Sequence, residues 1–377
     1  MNRRLLALAA AALAAIASAL PTLAFAPQTT AATHALAWLH GQQAADGTIA
    51  GNASRTEETV WGLAANHQAV SGFGSSSGKT PIDSLRTHIA SEVGSAGNIG
   101  SLVMAVTAGG LDPTHFAGRN LLQDLVCTYN PETGAYNTQL FNDALAVLAL
   151  PAGAAPTKAK AFLVSQQQAD GGWEFQPGFG SDTNTTALVL MALVSADDLG
   201  STTKDRALAY FKLHQKPSGG FEYSVPFAPP GDSDPDSDAL VIEALLAVGQ
   251  DPTSPVWSVA DKNALTDLLS FQLTTGADSG GFSFTRPTAD NPGKADAFST
   301  TQPLVALAAG FLPVRLTTGT LPSICPAAIA SASPTPAPTP GPVTRQLART
   351  GSSPLVPFLA GLAAMALGWR LRRRRAR

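Results

Sequence analysis

The chain has 377 residues, 45% of them hydrophobic and 14% charged, which excludes a disordered chain and leaves enough apolar side chain for a sizeable core. Eight of the 24 basic residues stand at the two ends: Arg3, Arg4, Arg370, Arg372, Arg373, Arg374, Arg375 and Arg377. The stretch between them carries 16 basic against 27 acidic residues, a net charge of −11, and so does not suit nucleic acid as a partner.

Residues 1–26 read as a secretory signal, with Arg3-Arg4 at the start, an apolar stretch from Leu5 to Leu20, and Ala24-Phe25-Ala26 as a small-x-small cleavage site. An N-terminal membrane anchor is the alternative. Export places Cys127 and Cys325 in an oxidising compartment, where a lone pair most often forms one disulfide; two separate buried thiols are the other reading.

From there one theme recurs: an amphipathic run, a Gly-containing turn ending in an apolar or aromatic residue, then an almost wholly apolar run. The clearest copy runs from Ala159 through Asp170-Gly171-Gly172-Trp173 to the apolar stretch Thr185 to Leu193. Other copies turn at Gly219-Gly220-Phe221 and Gly280-Gly281-Phe282, and weaker ones at Gly47-Thr48-Ile49, Gly97-Asn98-Ile99 and Gly134-Ala135-Tyr136, which makes six. Lys204 to Lys212 and Asp261 to Leu269 have one polar and one apolar face and predict surface helices. Ala144 to Leu150, Ala239 to Ala247 and Pro303 to Ala309 are apolar around almost the whole circumference and predict buried ones. Six such pairs fit an inner ring wrapped by an outer ring, or an open superhelix.

The segment Gln166-x-x-x-Asp170-Gly171-Gly172-Trp173 resembles the repeat of squalene and oxidosqualene cyclases, and the whole pattern, over about residues 30–312, is similar to the prenyltransferase and terpenoid-cyclase repeat superfamily. The resemblance implies an all-α fold, an α/α toroid of six helix pairs, here expected over residues 27–325. It implies a fold more firmly than a reaction. A cyclase that protonates an alkene needs a carboxylic acid held neutral among other carboxylates, in an Asp-x-Asp-Asp arrangement. The nearest segment, Asp232-Ser-Asp234-Pro-Asp236-Ser-Asp238, alternates and never sets two Asp side by side. Asp197-Asp198 lacks the third acid of a magnesium-binding Asp-Asp-x-x-Asp, neither cysteine has an Asp two residues before it for a prenyltransferase zinc site, and Cys-Gly-Glu-Gln of a thioester domain is missing. No catalytic residue, metal or cofactor is therefore expected.

Two positional features remain. Asn98, Asn142, Thr185, Asp238 and Ser299 align at the starts of the inner helices, where they read as N-caps or as polar groups around one mouth of the barrel. The loops after the last three turns are longer than a connector needs and carry Trp173, Phe175 and Phe179, then Phe221, Tyr223 and Phe227, then Phe282, Phe284 and Arg286. These rings either plug the barrel end or bind. The ligand set expected is Trp173, Phe221, Tyr223, Asp236, Asp238, Phe282 and Phe284.

Residues 331–343 are Pro-rich and predict an extended spacer, within a linker placed at 326–346. Leu347-Ala348-Arg349-Thr350-Gly351, an apolar run from Pro354 to Gly368 and the terminal Arg cluster follow in that order. This order resembles a sortase cell-wall sorting signal. The resemblance implies cleavage between Thr350 and Gly351, with sortase and peptidoglycan as partners and membrane contact only through the apolar segment before processing; a retained transmembrane tail is the alternative. The sequence thus leads to an exported, surface-anchored binding module without catalytic activity, holding a small molecule or glycan at one mouth of a toroid. The alternatives are a cyclase-like enzyme with a degenerate acid motif and a structural wall protein.

Overall fold

The computed structural model describes residues 25–223, 232–322 and 325. Residues 1–24 of the expected signal, the Pro-rich linker and the sorting segment lie outside the described residues. Among the described residues no helix is long and apolar enough to cross a membrane.

The alternation in the sequence becomes two concentric layers. The outer helices are α1 (Thr29–Gly41), α3 (Pro81–Thr87) with the short α4 (Ile89–Glu92), α6 (Leu121–Val126), α8 (Thr157–Ser165), α10 (Ser201–His214) and α12 (Ala264–Leu269). The inner ones are α2 (Ala53–Ala65), α5 (Ala96–Ala108), α7 (Leu140–Leu148), α9 (Thr183–Ser195), α11 (Pro235–Ala247) and a sixth made of two pieces, α13 (Ala297–Thr301) and α14 (Pro303–Leu307). The sixth breaks where Pro303, with no N–H to donate, opens a new first turn. Burial follows composition: α9 is buried from Thr183 through Leu193, whereas the longer α10 buries only Ala207, Tyr210 and Phe211. A two-stranded ribbon, β1 (Trp173–Glu174) and β2 (Ser181–Asp182), shapes the turn of the fourth repeat.

Each inner helix packs on the next, and α14 returns to α2, so the ring is closed. At that seam a Cβ on Gly62 would fall 2.3 Å from the Leu304 side chain, and Asn66 Nδ2 donates to the Leu304 carbonyl at 3.0 Å. The outer layer closes by a repeated device. Gly47, Gly134, Gly171, Gly219 and Gly280 all have φ between +88° and +97°, and a Cβ on any of them would strike the backbone of the next repeat's outer helix or the residues leading into it. The last of the five, Gly280, sits 2.5 Å by this measure from the carbonyl of His34 on α1, joining repeat six to repeat one.

A glutamine reinforces the same junction. The side-chain amide of Gln167 donates both to Gly171 O of its own turn (2.8 Å) and to Thr203 O of the next outer helix (3.0 Å). Gln215 does the same to Gly219 O and Trp257 O, and Gln272 to Gly280 O and Ala31 O. Gln166, the residue singled out in the sequence, bonds instead to Ser165. Inside each turn, the fourth residue of the inner helix accepts the N–H of the turn's apolar residue: Thr56 from Ile49, Asp143 from Tyr136, Thr186 from Trp173, Asp238 from Phe221 and Thr300 from Phe282.

Two sequence expectations change here. Gly97-Asn98-Ile99 is no turn but part of the first turns of α5, and repeat two passes from α4 to its inner helix without the glycine junction. The capping side chains are Asn52, Ser95, Asp182, Asp234 and Asp296, each accepting the N–H three residues on. Asn98, Asn142, Thr185 and Ser299 are the third helical residues and Asp238 the fourth, because the extended capping residue precedes the apolar periodicity by which the alignment was made.

Gly280→Ala must both hold a left-handed backbone and push into α1, whereas Gly178 has a similar φ of +87° but nothing within 4 Å of its Cβ position. The expected loss for Gly178→Ala is about 1–2 kcal/mol, and for Gly280→Ala a further ~1–3 kcal/mol from the clash; equal losses in denaturant unfolding would refute the junction. Burial raises the Asp143 carboxyl to about 7, against the pull of the Tyr136 N–H. A folded state that keeps a proton the unfolded chain releases near pH 4 loses stability as pH rises from about 4 to about 7. The unfolding midpoint should therefore fall between pH 5 and pH 8, and Asp143→Asn, which keeps an acceptor for Tyr136, should flatten that fall; an unchanged slope would remove Asp143 as a cause.

Candidate functional site

Inside the ring, two inner helices bring ionisable groups together, with polar side chains from a third, where apolar packing would be expected. Glu58 on α2 pairs with Arg55 one turn before it, at 2.8 Å, and also accepts from Gln302 Nε2 at 2.7 Å and from Thr301 Oγ1. The Arg55 guanidinium lies 4.4 Å over the Phe298 ring of α13, and its Nη1 has no hydrogen-bond partner among the described residues. Glu58, Trp61, Leu240, Glu243, Thr301, Gln302, Val305 and Leu312 line a narrow cavity of about 10 Å³, room for roughly one water.

On α11, Asp236, Leu240 and Glu243 follow the i, i+4, i+7 spacing that puts them on one stripe of the helix. Asp236 is thus one turn above the cavity-lining Leu240, in the first turn of the helix. It is 2% exposed, and neither carboxyl oxygen has a hydrogen-bond partner among the described residues. Burial pushes its pKa well up, the charges of Asp234 and Asp296 push the same way, and Arg55 opposes them. Glu243 also has an orphaned oxygen, and its pKa is driven up by burial and by Glu58, with the Leu312 backbone opposing. Burial thus drives both Asp236 and Glu243 toward the protonated form.

Asp238, two residues on, faces elsewhere. It accepts the Phe221 N–H at 2.6 Å and lies against Asp267 of α12, to which Arg286 is paired at 2.9 Å. Burial and the Asp267 charge raise its pKa, so this pair holds the turn of repeat five against the outer layer. Asp232 lies at the rim, 3.4 Å from Arg286. Among the described residues no group of His, Cys, Asp or Glu is placed to hold a metal ion.

The aromatic residues of the expected ligand set do not meet at one point. Trp173, Phe221 and Phe282 are fully buried at the turns of three successive repeats, and Trp173 Nε1 donates to Leu163 O at 2.7 Å. Tyr223 and Phe284 are partly buried; the Tyr223 carbonyl accepts from Thr183 of the neighbouring repeat. Only Asp236 of that set belongs to the acidic group in the ring. Arg55, Glu58, Trp61 and Glu243 escaped sequence reasoning, although a lone Glu243 in the apolar run of α11 and an Arg55/Glu58 pair on an inner helix are the signals that mark them. A wider cleft of about 300 Å³, with Asp46, His88 and Glu92 in its walls, holds no residue of α11 or α13.

Among known proteins no family model matches the chain. Over 74 residues it is 39% identical to drimenyl diphosphate synthase of Streptantibioticus cattleyicolor, a match that spans 20% of this chain and only 14% of that protein's length. Its structure is similar to the type II terpene cyclase MstE from Scytonema, with a TM-score of 0.52 at 14% identity over 74% of this chain and 97% of the cyclase. A variant of that cyclase in complex with its product, merosterolic acid A, also gives 0.52, at 15% identity over 75% of this chain and 96% of the cyclase. At such identities the structural likeness establishes the terpene-cyclase-like α/α fold. The expectation of a binding module without catalytic activity is overturned by these comparisons, since the sequence relative and both of these cyclase structures are terpene-forming enzymes.

Proposed function

We propose that the chain is an acid-initiated cyclase of linear isoprenoids, with Asp236 as the proton donor. The observation that carries this reading is a buried carboxyl with neither oxygen bonded among the described residues, standing in the first turn of an inner helix above a cavity. Asp234-Pro-Asp236 keeps the first two acids of Asp-x-Asp-Asp, and Ser237 occupies the place of the next, donating to Asp234 Oδ2 at 2.8 Å. The absence of adjacent acids, read in the sequence as a departure, leaves the central acid in place. The sequence match to drimenyl diphosphate synthase supports the same chemistry.

In this reaction the Asp236 proton adds to a terminal alkene carbon and leaves a tertiary cation. An internal alkene then attacks that cation and forms the ring bond. Loss of a proton from the last cation balances the reaction as an isomerisation. Two features stabilise the carboxylate left behind: the Arg55 charge and the positive end of the α11 dipole, in whose first turn Asp236 stands. Removal of water favours the step, because a cation in a dry site is not quenched before the ring closes.

We further propose that the chain is exported and joined to peptidoglycan by a sortase through Thr350, on the strength of the two terminal sequence patterns. Mass spectrometry of wall digests should find Thr350 linked to a wall peptide; a mature chain intact to Arg377 would overturn this. For the chemistry, the full-length protein is to be incubated with farnesyl diphosphate and with geranylgeraniol, with and without a dithiol, and products are read by mass and retention. Asp236→Asn, nearly isosteric but without a transferable proton, should reduce cyclisation by about 10²–10⁴-fold and leave the unfolding midpoint at pH 5 nearly unchanged. Cyclisation that survives the substitution would exclude Asp236 as the acid.

A further inference from the structure

The last described stretch of chain crosses the ring, and its path is set by five contacts. It leaves α14 in repeat six, with Gly310 N bonded to Val305 O. Leu312, 4% exposed, enters the cavity wall beside Glu243 of repeat five. Arg315 then lies against Gly110 and Thr317 Oγ1 meets Thr107 Oγ1 at 3.5 Å, both at the end of α5 in repeat two. Cys325 finally joins Cys127, the residue that ends α6 in repeat three. Repeats six and three are opposite one another in a ring of six, so residues 308–322 run across the mouth formed by the C-terminal ends of the inner helices, the far side from Asp236.

The contacts that hold this strap differ in kind from those that hold the ring. The ring is closed by the glycine junctions, the glutamine bonds and the buried inner helices, none of which involves residues beyond 310. The strap has a few buried points, Leu312, Thr317 and the partly buried Val314 and Leu321, and it exposes Phe311 and Leu316 at 38% and 51%. Its far end depends on one disulfide, and both cysteines are exposed to solvent. An exposed disulfide is open to thiol exchange, and a segment with few buried contacts opens at lower free energy than the domain unfolds.

We propose that residues 308–322 are a plug over the central cavity, latched by the Cys127–Cys325 disulfide, and that reduction of this bond by an external dithiol releases the plug and admits an uncharged isoprenoid chain. The identity of that ligand rests on the cyclase reading; the latch itself does not. In the exchange, two electrons and two protons pass from the dithiol to the protein, leaving Cys127 and Cys325 as thiols and the reagent as a disulfide. Leu312 is the side chain that stands in the wall of a space now large enough for about one water, so its withdrawal is what enlarges it.

The test uses the full-length chain, oxidised and after treatment with dithiothreitol. Backbone hydrogen exchange of residues 308–322 should quicken at least tenfold on reduction, while α2, α5, α9 and α11 change less than twofold. Geranylgeraniol should bind at least tenfold more tightly to the reduced protein, and the double variant Cys127→Ser/Cys325→Ser should bind equally tightly with or without reductant. Leu312→Ala, with the disulfide intact, should also raise affinity for geranylgeraniol in the oxidised protein, and so tests the plug apart from the latch. Unaltered exchange in 308–322, or exchange that rises throughout the domain, overturns the proposal. So does an affinity that is the same in both redox states. Cyclisation at equal rates in the two states would overturn the plug and leave the chemistry standing, whereas tighter binding on reduction without any cyclised product would do the reverse.

Discussion

The fold depends on the contact between the turn of one repeat and the outer helix of the next. A left-handed glycine brings the turn's backbone to the neighbouring helix at a distance no side chain allows, and a glutamine amide bonds both backbones at once. The device satisfies buried carbonyls that neither repeat could satisfy alone. It is also directional, since each repeat offers its turn forward and receives one from behind. Carried round to Gly280 and His34, the direction leaves no free end. Repeat two lacks the glycine turn, and there the ring relies on the packing of α5 between α2 and α7.

A closed ring of helices has an interior, and what this chain places there is unusual. Three neighbouring positions of α11, α2 and the α13–α14 break supply acids, a guanidinium and amide or hydroxyl groups in place of apolar side chains. Glu58 is fully engaged by Arg55, Thr301 and Gln302, so its burial is offset by three partners. Asp236 and Glu243 have no such set, and burial drives both toward the protonated form. A group held in that state at the expense of stability is a reasonable place to seek chemistry. The strap lies over the opposite mouth, with Leu312 in the wall of the same cavity.

The layered fold was legible in the sequence because it is written as composition: runs that are apolar on one face became outer helices, and runs apolar on all faces became inner ones. Gly171-Gly172-Trp173 and its relatives marked the junctions for the same reason, since a glycine at φ near +95° and a buried indole are local demands. The candidate site was less legible. Asp236 and Asp238 look equivalent in an alternating Asp-Ser-Asp pattern, yet two residues on a helix are some 200° apart. One of them faces Arg55 and Asp296 inside the ring, and the other binds the Phe221 turn and Asp267 outside it.

The sequence by itself determined the number of helix pairs, which member of each pair is buried, and where five of the six turns fall, because hydrophobic periodicity and glycine act within a few residues. Only the tertiary structure decided that the array closes on itself, that Glu58, Asp236 and Glu243 share one interior, and that the segment after α14 runs across to Cys127. Those are relations between residues far apart in the chain, 198 positions for Cys127–Cys325 and 238 for the Asn66–Leu304 bond at the seam. They arise from the rotation accumulated over six junctions, which no single repeat encodes.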